Sequence, residues 1–267
     1  MNRSRFPGLE VLARSPVGTP RETPLLFIHG AYTGAWIWDE HFLPWFAEQG
    51  YTCYAMSLSG HGNSPGREYL DTYSLDHFVN DVVKVAGALS EPPVLIGHSM
   101  GGMVVQKYLE RSNAAGAVLL SSVPPQGLGA SALGLAFRKP SLMTDLNRLM
   151  AGGKVAAESL REALFAQPVD EEDLQRYYHL SQPESFRAIW DMTLFNLPRP
   201  RKMAHPPMLV LGAEHDQLIP ASMVEMTART YGLEPEIFPD LGHGMMLEQD
   251  WLLVAERIRD WLQEQGF

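Results

Sequence analysis

The sequence contains a single cysteine, Cys53, among its 267 residues. An intramolecular disulfide is therefore impossible, and nothing in the sequence indicates an oxidising compartment. Cys53 lies in the strand-like run YTCYAMSL, where we expect a small buried side chain and not a nucleophile. No apolar run approaches the roughly 20 residues that cross a bilayer, and the N-terminal residues lack the apolar core of a signal peptide. We therefore expect a soluble, cytoplasmic protein without stable membrane association.

Positive charge is also scarce, with 21 Lys and Arg against 31 Asp and Glu and a formal net charge of −10. Such an acidic surface repels phosphates, which excludes nucleic acid as an expected partner. Apolar residues make up 45% of the chain and charged residues 19%, a globular composition that argues against disorder. The length suits a single α/β domain with a sizeable core.

Two kinds of segment alternate along the chain. Short apolar runs occur at residues 25–29, 51–58, 93–98, 115–122, 207–213 and 233–239. Apolar residues at helical spacing occur at residues 38–49, 74–89, 100–110 and 250–262. Strands that alternate with amphipathic helices indicate βαβ units. The sequence therefore predicts an α/β fold, with a mostly parallel central sheet covered by helices on both faces.

One segment, residues 123–206, breaks this alternation because only helix-like patterns occur in it. Asp170 precedes the acidic run EED, which is typical of a helix N-terminus. We predict a core in two parts, residues 1–122 and 207–267, with residues 123–206 inserted between them as a helical cap. An insertion at the carboxyl ends of parallel strands covers the place where such sheets bind ligands.

The pattern G-x-S-x-G occurs at residues 97–101, GHSMG, between a predicted strand and a predicted helix. This is the pattern of a nucleophile elbow, a strained turn that exposes the serine hydroxyl above the sheet. Side chains at positions 97 and 101 would collide with the neighbouring strand and helix, which explains both glycines. Ser99 is therefore the candidate nucleophile.

A serine nucleophile needs a base within hydrogen-bond reach, and an acid that orients the base. His243, in the loop LGHGMM after the last predicted strand, is the candidate base. The acid is expected after the strand at 207–213, where Glu214 and Asp216 are available. Asp216 is favoured because its loop can point back toward His243. The consecutive residues Glu214, His215 and Asp216 rarely converge on one ion, so no metal is expected.

An acyl-transfer site also needs N–H donors for the oxyanion of the transition state. The N–H of Met100, directly after the candidate nucleophile, is one expected donor. The loop HGAYTGAW, after the strand at 25–29, is expected to present the N–H of Ala31 as the other.

These motifs together resemble those of the α/β-hydrolase superfamily, in its helical-capped esterase and lipase-like group. The resemblance rests on HG at 29–30, GHGNS at 60–64, GHSMGG at 97–102, the segment GAEHDQLIP and the late His243. It implies a Ser99–His243–Asp216 triad, an oxyanion hole at Ala31 and Met100, and no cofactor. Ser57 stands where relatives commonly have an aspartate.

The stretch HGAYTGAWIW is also similar to the methylesterase and hydroxynitrile lyase branch. Gly244 follows His243 where hydroxynitrile lyases carry a lysine, which argues against cyanohydrin cleavage. Ser99 argues against the dehalogenases and epoxide hydrolases, whose nucleophile is an aspartate. Carbon–carbon bond hydrolases of diketone type, amidases and lysophospholipases share the triad and stay open, as does a non-catalytic small-molecule receptor.

We expect a carboxylester hydrolase that acts on a small, hydrophobic ester. The cap residues predicted to contact its acyl or alcohol group are Met143, Phe165, Trp190 and Phe195.

Overall fold

The computed structural model describes residue 6 and residues 8–150, 153 and 155–267. Within this part of the chain, the strands are β1 (Val11–Arg14), β2 (Leu25–Ile28), β3 (Cys53–Met56), β4 (Val94–His98), β5 (Gly116–Leu120), β6 (Met208–Ala213) and β7 (Glu236–Phe238). They form one sheet in the order β1-β3-β2-β4-β5-β6-β7. Only β1 pairs antiparallel, with β3. The predicted α/β fold with a mostly parallel sheet is confirmed.

Helices cover this sheet and fill the long connection between β5 and β6. In chain order they are α1 (Trp36–Asp39), α2 (Phe42–Glu48), α3 (Leu75–Gly87), α4 (Met100–Tyr108), α5 (Gly129–Arg138), α6 (Pro140–Met150), α7 (Ala157–Leu164), α8 (Glu171–Leu180), α9 (Phe186–Trp190), α10 (Ala221–Tyr231) and α11 (Trp251–Glu264). Short 3₁₀ turns occur at Arg67–Thr72 and Pro200–Lys202, and a π-helical turn at Asp191–Phe195 follows α9 directly.

The central strands are buried on both faces of the sheet. Along β2, Leu25 and Phe27 point into one apolar cluster, and Leu26 and Ile28 point into the other. The first cluster contains side chains of α2 and α11, and the second contains side chains of α3, α4 and α10. Full burial of a side chain of this size contributes about 1.5–3 kcal/mol. Helices on both faces therefore hold the strand ends in fixed positions.

The single helix predicted over residues 38–49 is wrong, because two helices, α1 and α2, occupy this region. Pro44 explains the break. Its ring would clash with the carbonyl of residue 40 in a continuous helix, and it has no N–H to donate there. The chain therefore turns at residues 40 and 41 and restarts as α2. Both helices still bury aromatic side chains of the helical pattern at residues 38–49, namely Trp38, Phe42 and Phe46.

Between β5 and β6, the described residues form helices and turns and no strand. Asp170 directly precedes α8, as its acidic pattern predicts. The division into a core and a cap at residues 123 and 206 stays a prediction. Among the described helices, none is both long enough and apolar enough to cross a membrane.

Candidate active site

Ser99 occupies a tight turn between β4 and α4. Its backbone has φ 53° and ψ −116°, a conformation that non-glycine residues rarely adopt. The turn is held on both sides. The Ser99 N–H donates to the carbonyl of Leu120 at 3.0 Å, and the Ser99 carbonyl accepts the N–H of Val123 at 3.1 Å. The ends of β4 and β5 thus hold the strained serine, whose side chain remains partly exposed.

The glycines around Ser99 have the roles that the sequence predicts. A Cβ on Gly97 would lie closer than 3.0 Å to the backbone of Gly101 in α4. A Cβ on Gly101 would lie equally close to the carbonyl groups of Ile28 and His29. Both collisions are with backbone atoms, which cannot rotate away. The close packing of α4 against β4 and β2 therefore requires glycine at both positions.

Asp216 and His243 meet at the same edge of the sheet. Asp216 lies in the loop after β6, where its Oδ1 accepts the N–H groups of Leu218 at 2.8 Å and Ile219 at 2.7 Å. Its Oδ2 lies 2.7 Å from Nδ1 of His243, and both side chains are buried. A carboxylate only accepts, so Nδ1 donates this bond and Nε2 remains to accept a proton. Glu214, the other acid considered from the sequence, is exposed.

His98 joins the loop of His243 to the turn of Ser99. Its ring lies 4.6 Å from the His243 ring, and its Nε2 donates to the His243 carbonyl at 2.9 Å. Burial, reinforced by the neighbouring His243, holds the pKa of His98 well below its usual range. His98 is therefore a neutral donor. Its bond connects the loop of His243, the candidate base, to the residue directly before Ser99. The sequence places His98 next to Ser99 but contains no signal for this bond.

The loop after β2 approaches Ser99 closely at Gly30. A Cβ on Gly30 would lie 3.1 Å from Cβ of Ser99, so glycine permits this approach. Two donors hold the Gly30 carbonyl, namely Nδ1 of His29 at 2.8 Å and Oγ1 of Thr33 at 2.9 Å. In a trans peptide the N–H points opposite to the carbonyl. His29 and Thr33 therefore also fix the direction of the Ala31 N–H.

The N–H groups of Ala31 and Met100 have no acceptor among the described residues of the protein. Met100 opens α4, and the first N–H groups of a helix have no partner within the helix. Met100 directly follows Ser99, and Ala31 follows the glycine that approaches Ser99. Unpaired N–H donors are the groups that bind an oxyanion.

Comparisons with known proteins identify the family of this chain. The model of the Alpha/beta hydrolase family matches residues 25–257, most of the chain. The protein belongs to the alpha/beta hydrolase family. A monoacylglycerol lipase of Mycolicibacterium smegmatis is 25% identical over 239 residues, which are 83% of this hydrolase and 81% of the lipase.

Two solved structures share the fold of this hydrolase. An esterase from Exiguobacterium antarcticum superposes with a TM-score of 0.71 at 20% identity, covering 96% of this chain and 95% of the esterase. A bromoperoxidase from Bacillus anthracis superposes with a TM-score of 0.75 at 19% identity, covering 96% of each chain. Proteins of different activity thus share this fold, so the reaction has to be argued from the site.

Ser57 of the hydrolase receives its carboxylate partner from a distant part of the chain. Its Oγ donates to Oε2 of Glu10 at 2.6 Å and accepts the N–H of Ala35 at 2.9 Å. The same Glu10 oxygen accepts the N–H of Asn63 at 2.9 Å. Glu10, just before β1, thereby places a carboxylate beside the position where relatives commonly have an aspartate. Sequence reasoning missed Glu10 because it is 47 positions from Ser57.

The four predicted substrate contacts do not lie together. Trp190 and Phe195 are exposed, with ring centroids 6.1 Å apart, and line a surface groove of about 650 Å³ with Arg187 and Asp191. Phe165 is buried against Tyr177 and borders a different groove of about 390 Å³, to which His215 and Gln217 contribute on either side of Asp216. Met143 packs on the small cluster of Leu135, Leu142 and Ala163. Phe165 thus shares a groove with the loop of Asp216.

Acid is expected to destabilise this hydrolase through His29. Burial, together with the smaller effect of neighbouring His61, lowers the pKa of His29 from 6.5 to about 3. Between these values the unfolded chain binds a proton that the native protein does not, so stability falls as pH falls. The expected slope is about 1.4 kcal/mol per pH unit. Chemical denaturation at pH 5 and pH 6 measures this slope, which should be smaller in His29→Gln.

The matched control for this experiment is His205→Gln, because His205 is exposed. It should leave the slope as in the wild type. Equal slopes for His29→Gln and the wild type would contradict a neutral, buried His29.

Proposed function

We propose that this protein is a serine carboxylester hydrolase that works through an acyl-enzyme and needs no cofactor. One observation carries the proposal: the buried Asp216–His243 hydrogen bond lies beside the strained turn that presents Ser99. The lipase and the esterase among the similar proteins support an ester as the substrate.

In the proposed reaction, Oγ of Ser99 attacks the ester carbonyl while Nε2 of His243 takes the hydroxyl proton. Asp216 holds the ring in the tautomer that can accept this proton, and stabilises the imidazolium that forms. The negative charge on the former carbonyl oxygen is bound by the N–H groups of Ala31 and Met100. Each such donor contributes about 3–4 kcal/mol to the stability of the transition state.

Collapse of this intermediate breaks the bond to the alkoxy oxygen, which leaves as an alcohol with the proton from His243. The acyl group remains on Ser99. A water molecule then attacks the acyl carbonyl and gives its proton to His243. The second tetrahedral intermediate releases the carboxylic acid, and the proton returns from His243 to Ser99.

We further propose that residues 123–206 select the substrate and favour a hydrophobic group. Phe165 supports this, because it is an apolar side chain on the groove beside the loop of Asp216. The exposed Trp190 and Phe195 belong to the same inserted segment and offer an apolar surface at its outer groove.

The test combines covalent labelling with a substrate panel. A fluorophosphonate probe is expected to modify the peptide that contains Ser99, as detected by mass spectrometry of a digest. p-Nitrophenyl esters of increasing acyl length should be hydrolysed, whereas the matching anilides and a vinylogous 1,5-diketone should react much more slowly. Absence of label on Ser99 would refute the nucleophile, and faster turnover of the anilide or the diketone would refute the ester.

A further inference from the structure

Tyr32, directly after Ala31, has a strained backbone. Its φ is 66°, in the left-handed region that costs a non-glycine residue about 1–2 kcal/mol. Such a conformation persists only where the surrounding structure holds it. The contacts that hold Tyr32 therefore bear on the peptide that carries the proposed oxyanion donor.

Both backbone polar groups of Tyr32 are bound by residues of the inserted segment, about 150 positions away. The Tyr32 carbonyl accepts the N–H of Gln182 at 2.9 Å. The Tyr32 N–H donates to Oε2 of Glu184 at 3.2 Å. Gln182 and Glu184 are both buried. The backbone on the C-terminal side of Ala31 is thus fixed by Glu184 and Gln182, as its N-terminal side is fixed by His29 and Thr33.

Glu184 has a second hydrogen-bond partner, His61. Its Oε2 also lies 2.9 Å from Nε2 of His61, and both side chains are fully buried. Its Oε1 accepts the N–H of Ser185 at 2.7 Å. A buried carboxylate without such partners would cost several kcal/mol and would oppose a negative charge forming nearby. The hydrogen bond from His61 therefore allows a buried carboxylate to bind the Tyr32 N–H in this position.

Gln182 binds the same loop that carries His61. Its Oε1 accepts the N–H of Gly62 at 2.8 Å, and its Nε2 donates to the carbonyl of Gly60 at 3.2 Å. Residues 182–184 therefore join two loops of the sheet edge, the one at Tyr32 and the one at residues 60–62. We call residues 182–184 the clamp.

We propose that Glu184 is a positioning residue for the oxyanion hole, and that the hole is complete only when the clamp of the inserted segment is seated on Tyr32. This inference rests on the proposed function. Glu184 acts through the backbone of Tyr32 and touches no substrate. The inserted segment thereby contributes to the chemical step itself, in addition to any selection of the substrate.

Glu184→Gln tests the proposal. One carboxylate oxygen becomes an amide nitrogen, which only donates, and the remaining oxygen loses the negative charge that strengthens its hydrogen bonds. The Tyr32 N–H is therefore held less tightly in either orientation of the amide. We expect kcat for a p-nitrophenyl ester to fall about 10-fold with KM within about 2-fold, the pattern of an interaction made in the transition state. The rate advantage of the ester over its thionoester should shrink, because sulfur accepts hydrogen bonds poorly.

The matched control is Glu110→Gln. The Glu110 side chain is equally buried, accepts the N–H of Arg199 from the inserted segment at 2.8 Å, and pairs with the Arg199 guanidinium. It lies after the last turn of α4, remote from Ser99. This variant should lose stability without losing kcat or the preference for the ester over the thionoester.

The outcomes separate this inference from the proposed function. Failure of the wild type to label with fluorophosphonate refutes the function. Three results would overturn the positioning role. They are equal labelling rates for the wild type and Glu184→Gln, an unchanged kcat in Glu184→Gln, and an equal fall of kcat in Glu110→Gln.

If Glu184→Gln does not fold, Glu184→Asp replaces it. Its shorter side chain keeps the carboxylate but draws both oxygens back from Tyr32, and the same outcomes decide.

Discussion

Replacement of Ser99 by alanine is expected to reduce kcat/KM for p-nitrophenyl esters by about 10⁴-fold or more, which corresponds to a loss of over about 5 kcal/mol in transition-state stabilisation. The hydroxyl oxygen is the proposed attacking atom, and no neighbouring side chain can replace it. The fold should be retained, because alanine keeps the Cβ and the backbone bonds to Leu120 and Val123. Steady-state kinetics and thermal unfolding of the same sample measure both effects.

Ser121→Ala is the matched control. Ser121 directly follows the neighbouring strand β5 and also has a positive φ, of 42°, but its Oγ donates to Sδ of Met245 at 3.5 Å. It should keep turnover close to that of the wild type. Equal losses in both variants would mean that strain at the strand ends, and not the Ser99 hydroxyl, limits activity.

Replacement of Gly101 by alanine is expected to cost more than about 3 kcal/mol of unfolding free energy, at the severe end for overpacking. The added Cβ would fall within 3.0 Å of the carbonyl atoms of Ile28 and His29. These atoms belong to β2 and its following loop, so α4 would have to move away from the sheet. Denaturant unfolding with a constant m-value measures the loss.

Gly87→Ala is the control for this variant, because Gly87 ends α3 and nothing lies within 4 Å of its added Cβ. Alanine there should be neutral or stabilising by up to about 1 kcal/mol. If Gly101→Ala unfolds at the same denaturant concentration as Gly87→Ala, the close approach of α4 to β2 is not what requires glycine.

The central parallel strands, β2 to β6, were predictable because they are buried on both faces and read as short apolar runs. The edge strand β1 is only partly buried, and its four residues, VLAR, carry no such signal. Helix α10 was also missed, although Gly232 ends it in the left-handed conformation that is typical of a helix C-terminus. Strand β1 is short and only partly buried at the edge of the sheet, so its sequence pattern cannot be distinguished from that of a loop.

Local motifs also predicted which residues meet at the site. Ser99 is identified by its flanking glycines, and Asp216 and His243 by their places after successive strands. The bond from His98 to the His243 carbonyl has no such signal. It depends on the distance between two loops 145 positions apart, which only the packing of the sheet determines.

By itself, the sequence determined the α/β architecture, the strained serine turn and the order of the candidate catalytic groups, since each depends on local periodicity or on residues within a few positions. The tertiary structure decided that Glu10 supplies a carboxylate to Ser57. It also decided that Glu184 holds Tyr32. Buried carboxylates need donors to compensate their desolvation, and those donors come from whichever segments the fold brings together. For this reason the contact between residues 182–184 and the loop of Tyr32 cannot be predicted from residue spacing.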